Sequence, residues 1–215
     1  RPMKELTSEE IILSGLSGKV EAKADTKKQE GQFSKLGASL FRKQMIERIP
    51  NLPANMQKLL KEDRAQISDK EFFVIRELAG TSTDVIKKNE KSEAGLRNLD
   101  DAELAENQYF LLSAISLQYR SGSSGRFDEL FPDFLANAVF TFKLGTREIM
   151  SKNPVDMFQS PVFGYNNHKD FGVIILNNPK LIEPKKTIAF DIEDAASSMS
   201  GFVKLKLIGT EVKSY

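Results

Sequence analysis

Residues 171–212 read FGVIILNNPKLIEPKKTIAFDIEDAASSMSGFVKLKLIGTEV, and this stretch decides the fold because it contains three segments with the pattern of β-strands. In residues 186–193 and 202–212, large apolar side chains alternate with polar or small ones. Such a period of two is typical of a strand with one face on a core and the other in water. Residues 171–177 instead carry apolar side chains on both faces, so we expect this first strand to lie at the centre of a sheet.

The composition narrows the classes of function. A chain of 215 residues can form one β-domain with an appendage or two small domains. The formal net charge of +1 provides no overall attraction to nucleic acid or acidic lipid. Because the chain has no cysteine, disulfides, thiolate catalysis and cysteine-ligated zinc are excluded. No apolar run approaches the roughly 18 residues that a membrane-spanning helix needs.

Residues 1–66 have the pattern of a helical arm with a linker. A capping pattern at Thr7 starts a short helix, residues 19–32 are polar enough to be a linker, and Pro50 separates two later helical patterns. The second of these is marked by Met56, Leu59 and Leu60, and the first by Leu36, Leu40, Phe41, Met45 and Ile49.

Two interpretations of this arm remain open. Its apolar stripes either pack on the chain's own sheet or dock on a neighbouring subunit or a membrane surface. In the second case the five apolar residues of the first pattern are the assembly contacts. The basic residues of the arm are dispersed among acids without aromatic interleaving, so no specific nucleic-acid site is expected.

The start of residues 67–215 is ambiguous between helix and strand. Residues 68–71 carry a helix-capping pattern, but residues 72–75 combine two aromatic and two β-branched side chains. We therefore predict a strand there. Residues 81–107 are a long polar connection with one helical turn at residues 100–105, and a connection of this length is usually functional or ordered by a partner.

Further strands follow this connection. Residues 108–119 predict a long strand that the Ser- and Gly-rich residues 121–125 end. Its predicted apolar face consists of Leu111, Ile115, Leu117 and Tyr119. Phe140, Phe142 and Leu144 predict the inward face of the next strand. A hairpin turn is expected at residues 144–147 and another short strand at residues 155–158.

These segments amount to six to eight strands with uneven connections and no alternating helices. The pattern predicts a mainly β protein, an antiparallel β-sandwich rather than a βαβ fold. Long connections between some strands and tight ones between others suit a jelly roll or another Greek key. We therefore predict a helical N-terminal arm and linker over residues 1–66 and a jelly-roll β-sandwich over residues 67–215.

The search for chemistry identifies no catalytic residue. His168 is the only histidine, it lies in a polar segment, and no nucleophile motif accompanies it. One histidine and no cysteine are too few ligands for a transition metal. Asp191, Glu193 and Asp194 lack the spacing of a calcium loop, and no glycine-rich phosphate loop occurs. We predict no enzyme activity, no cofactor and no metal.

One segment remains as a candidate surface contact. Glycan-binding β-sandwiches usually present exposed aromatic and polar side chains, and the best candidate loop here contains Tyr165, Asn166, Asn167, His168 and Lys169. An ordinary turn explains the same residues.

The order of segments resembles the jelly-roll structural proteins of icosahedral bacteriophages. The residues that carry the resemblance are 72–78, 95–99, 107–119, 140–150 and 171–212. Within them, residues 173–184 combine an apolar strand with a turn bounded by Pro179 and Pro184 and lead into the next strand. The resemblance covers about residues 70–215 and is one of pattern, without a diagnostic motif.

The resemblance implies a virion structural protein, namely a capsid, vertex or minor capsid-associated subunit that functions by subunit–subunit assembly. Its expected partners are further copies of the chain or other virion proteins, and its arm would contact the capsid interior or an internal membrane. The alternative is a secreted or cell-surface β-sandwich that binds a receptor or glycan. No catalytic residue is implied by the resemblance.

Overall fold

The computed structural model describes residues 33–159 and 172–215. Its helices are α1 (Phe33–Arg48), α2 (Ala54–Lys61) and α3 (Asp133–Ala136), and 3₁₀-helices span Ile49–Asn51 and Val155–Phe158. The strands are β1 (Ala65–Glu77), β2 (Ser82–Asp84), β3 (Gln108–Arg120), β4 (Val139–Leu144), β5 (Arg147–Pro154), β6 (Val173–Ile182), β7 (Ile188–Glu193) and β8 (Phe202–Ser214). The predicted helix after Thr7 and the predicted linker at residues 19–32 lie outside the described residues.

The described strands form two antiparallel sheets of four strands each, in the orders β1-β8-β3-β6 and β2-β7-β4-β5. Four of the six strand pairings follow one rule. The first strand pairs with the eighth, the second with the seventh, the third with the sixth and the fourth with the fifth. Successive pairs therefore alternate between the two sheets. The predicted class, mainly β and antiparallel, is confirmed.

The inner faces of the two sheets share one hydrophobic core. The predicted alternation is confirmed in β7, where Ile188, Phe190 and Ile192 are buried, and in the first half of β8. Aromatic rings fill the centre of this core. Phe140 of β4 stacks on Phe190 of β7, with ring centroids 5.1 Å apart and planes 10° apart. Offset aromatic pairs of this kind contribute roughly 0.5–1.5 kcal/mol beyond the area that they bury.

A β-bulge in β3 changes which side chains face the core. The register on β8 advances by one residue, from Gly209 to Ile208, while β3 advances by two, from Leu112 to Ala114. Leu112 and Ile115 therefore both point into the core, and Leu111 points to the outer face. The prediction that Leu111 shares a face with Ile115 is wrong, because one extra residue reverses the alternation of a strand.

The helices α1 and α2 cover part of the outer face of the first sheet. Met45, Leu52, Met56 and Leu60 form a second apolar cluster with Leu111 and Val212 of the sheet. The two predicted helical patterns and the break at Pro50 are confirmed. Met45, Met56 and Leu60 of these stripes pack on the chain's own sheet, and Ile49 and Leu59 pack partly against the same cluster. β1 starts four residues after α2 ends. The division of the chain at residue 66 stays a prediction.

The position predicted for the strand at residues 171–177 is wrong. β6 is an edge strand that pairs only with β3, and Ile175 on its outer face is 45% exposed. Between Ile175 and Lys180 the strand leaves its register with β3. Pro179 lies in this interruption, and proline is largely confined to edge strands and bulges because it lacks a backbone donor. Pro179 was therefore the feature of the sequence that argued against a central position for β6.

Two local predictions are also wrong. Residues 100–105 form no helical turn: a tight turn at Asp101 and Ala102, with φ of 51° and 57°, is closed by a bridge between Asp100 and Glu103. Residues 155–158 form a 3₁₀-helix instead of a strand, and its three-residue repeat places Val155 and Phe158 together in the core. The strand at residues 72–75 and the hairpin at residues 144–147 are confirmed.

Candidate functional site

A groove lies between the edge strands β5 and β6, one from each sheet. It encloses about 320 Å³. The interruption of β6 forms one wall, the β4–β5 hairpin forms another, and the end of α1 and the segment before β7 close it. The lining side chains in the described part of the chain are Arg48, Leu144, Arg147, Ile149, Asn178, Pro179, Lys180, Leu181 and Lys186.

The charge of this groove is positive. Its lining includes Arg48, Arg147, Lys180 and Lys186 and no carboxylate. Within residues 33–159 and 172–215, only Lys186 of these four forms an ion pair, with Glu183 at 3.4 Å, and both partners are well exposed. A concave surface lined by charges of one sign focuses the electric field and attracts ions of the opposite sign. The groove, called the basic groove below, can therefore accept carboxylate or phosphate groups.

The opposite edge of the second sheet is acidic. Asp84 of β2 lies directly opposite Asp191 of β7 in the strand register, and Glu193 follows on the same outward face. Burial and the adjacent Asp84 carboxylate raise the pKa of Asp191 above its ordinary value, whereas Lys143 acts in the opposite direction. We call Asp84, Asp191 and Glu193 the acidic edge. None of the three forms an ion pair within the described ranges.

The outer edge of β1 is covered by the chain itself. The side-chain oxygen of Asn98 accepts the backbone N–H of Phe73 at 2.7 Å, and its side-chain nitrogen donates to the carbonyl of Glu71 at 2.8 Å. Arg42 of α1 donates to the carbonyl of Ile67 at 3.1 Å. Because an exposed strand edge is a template for pairing with another chain, these contacts block edge-to-edge addition at this strand.

Ion pairs hold the long connection at residues 81–107 against β1. Glu90 accepts two hydrogen bonds from Arg76, at 3.0 and 2.5 Å, and one from Arg97 at 2.5 Å. The hydrogen bond from Arg76 is the largest cause that lowers the pKa of Glu90, and partial burial opposes it. Bidentate, partly shielded pairs are the strong kind, so the chain orders much of this connection without a partner.

The structure places the predicted assembly contacts in different environments. Met45 is fully buried and Phe41 nearly so, Ile49 packs partly against the second cluster, and Leu40 is 50% exposed. The side chain of Leu36 lies outside the description, as does the whole predicted loop with Tyr165, Asn166, Asn167, His168 and Lys169.

Sequence reasoning missed the basic groove and the place of Asp84 in the acidic edge. The four cations of the groove are spread over residues 48–186, and no local spacing connects them. The outward position of Asp191 and Glu193 was readable from the alternation in β7. Their pairing with Asp84 was not, because β2 has only three residues and no pattern of its own.

No group of three or more histidine and acidic side chains in residues 33–159 and 172–215 is arranged to hold a metal ion. In the same ranges, none of the helices combines the length and the apolar character that crossing a bilayer requires. Neither a protein-family model nor a curated protein nor a solved structure matches the chain.

Proposed function

We propose that this chain is a virion structural subunit, a capsid, vertex or minor capsid-associated protein, and that it functions by binding other subunits. The observation that carries the proposal is the strand order. The eight strands of residues 33–159 and 172–215 lie in two four-stranded sheets, with the first strand paired to the eighth and so on inward to the fourth and fifth, and this is the pairing expected if the chain is wound as a jelly roll. Viral capsid proteins are a principal user of that architecture, together with lectins and cupins.

The filled interior favours a scaffold over the other users of the fold. Barrels that bind a small ligand inside leave space between their sheets. Here five phenylalanine side chains between the sheets are almost completely buried: Phe110, Phe140, Phe142, Phe158 and Phe190. The features that distinguish this molecule therefore lie on its surface, where the acidic edge and the basic groove lie beside opposite edge strands of the second sheet.

Measurement of particle mass tests the proposal. We expect the purified full chain to form closed oligomers or particles as its concentration rises, visible by sedimentation velocity and by negative-stain electron microscopy. A chain that stays monomeric at all concentrations and salt levels contradicts the proposal. Binding of that monomer to defined structures on a glycan array would favour the receptor- or glycan-binding alternative instead.

A further inference from the structure

The two charged surfaces lie at opposite ends of one layer of the molecule. In the second sheet, β2 is the edge strand that carries Asp84, and β5 is the other edge strand and lines the basic groove. At the usual spacing of about 4.8 Å between paired strands, the two edges are roughly 14 Å apart. One copy of the chain therefore presents an acidic surface on one side and a basic surface on the other.

We infer that the acidic edge of one copy binds in the basic groove of a second copy, so that copies associate head to tail. The inference rests on the proposed function, because it names the contact by which the subunits would bind one another. A contact between two different surfaces leaves each copy with one free surface of each kind. Repetition then produces a closed ring if the rotation closes and an open array if it does not.

Charge complementarity identifies the occupant of the groove. A symmetric contact of either surface with itself would bring like charges together, whereas the head-to-tail contact pairs each surface with its opposite. Asp84 and Asp191 are directly opposed in register, where Cβ atoms lie about 4.5–5.5 Å apart. This acidic pair is held at the price of mutual repulsion, which arriving cations would relieve.

The groove fits a protein surface better than a nucleic acid. Its described lining contains no aromatic side chain on which a base could stack. The whole chain carries 31 basic and 30 acidic residues, so its positive charges are matched within the molecule instead of exceeding its acids as in most nucleic-acid-binding domains. The cations of the groove and the carboxylates of the acidic edge both contribute to this near-zero net charge.

Charge reversal on each surface tests the contact. One variant carries Arg147→Glu with Lys180→Glu, and the other carries Asp84→Lys with Asp191→Lys. We expect each variant alone to self-associate at least tenfold more weakly than the wild type in sedimentation velocity at low salt. An equimolar mixture of the two should recover association, because the unchanged acidic edge of the first variant again meets the unchanged basic groove of the second.

Three controls accompany this test. Lys61→Glu with Lys213→Glu makes the same change in net charge as the groove variant, at exposed positions outside both surfaces, and should leave association unchanged. Asp84→Asn with Asp191→Asn covers the case in which lysine at these positions disturbs folding. It should weaken self-association, and its mixture with Arg147→Glu and Lys180→Glu should stop at pairs, joined by the one contact in which both surfaces are unchanged. Thermal unfolding of each variant verifies that the fold is retained.

The outcomes separate this inference from the proposed function. Wild-type assembly that neither reversal affects overturns the head-to-tail contact and leaves the structural role intact. A wild type that is monomeric under all conditions overturns both. If Arg147→Glu with Lys180→Glu abolishes binding of a single-stranded oligonucleotide while self-association is unchanged, the groove is a nucleic-acid site and the inference is wrong.

Discussion

The substitution Met45→Ala tests whether helix α1 is part of the folded unit. Met45 has no exposed surface and packs between α1 and the outer face of the first sheet, beside Met56, Leu60 and Leu111. Truncation of a buried methionine to alanine removes its burial and leaves a cavity, which together cost about 2–5 kcal/mol. The cluster lies at the surface of the sheet under two helices that can partly collapse into the cavity, so we expect the lower half of this range.

Leu40→Ala is the matched control on the same helix. Leu40 is 50% exposed, and leucine, methionine and alanine have similar helix propensities, so this change should alter the free energy of unfolding by less than about 0.5 kcal/mol. Urea unfolding followed by circular dichroism measures both variants against the wild type. An unchanged slope with denaturant indicates that the difference reflects stability rather than a change in the unfolded chain.

Equal stability of the Met45→Ala variant and the wild type would refute this reasoning. It would mean that α1 does not rest on the sheet in solution. Its apolar stripe would then be available to a neighbouring subunit, which is the second interpretation of the arm. A loss at Leu40 as large as that at Met45 would equally contradict the contacts described here.

Three further predictions concern single substitutions, at Gly209, Asp84 and Asn98. Gly209→Ala should destabilise the fold by more than about 1 kcal/mol in urea unfolding, because its Cβ would lie 1.9 Å from the carbonyl oxygen of Leu111 at the bulge. The raised pKa of Asp191 adds stability at low pH, and this stability is lost as the pH rises through the pKa that Asp191 has in the folded protein. Asp84→Asn should reduce this loss and stabilise the protein by roughly 0.2–1 kcal/mol at neutral pH, as measured by unfolding across pH. Asn98→Ala should destabilise the edge of β1 by about 1–3 kcal/mol and raise amide hydrogen exchange there, and unchanged protection would show that the edge is covered by other means.

The local pattern of the sequence was sufficient for most strand positions. The alternation in β7, the hairpin before Arg147 and the break at Pro50 depend only on neighbours along the chain. Proline and turn residues act over a few positions, and period-two burial needs only the knowledge that one face is apolar. The antiparallel, mainly β class followed from these features alone.

Pairing between distant segments was beyond such patterns. The burial of Leu111 on the outer face depends on a bulge against β8, about a hundred residues later in the chain. The apolar faces of β6 suggested a central strand, yet the structure places β6 at an edge. A central or an edge position depends on whether another strand pairs on each side, and Pro179, which lacks a backbone donor, was the one feature of β6 that bore on this.

The sequence by itself determined where the longer strands form and which of their side chains are apolar, because both depend on short-range periodicity. Only the tertiary structure decided the order of the strands, and this order decided which charged side chains lie together in the basic groove and at the acidic edge. Arg48, Arg147, Lys180 and Lys186 belong to four separate segments, and Asp84 meets Asp191 only because β2 pairs with β7. Electrostatic fields add through space and not along the chain, so a surface of positive or negative potential exists only after folding has brought its charged residues together.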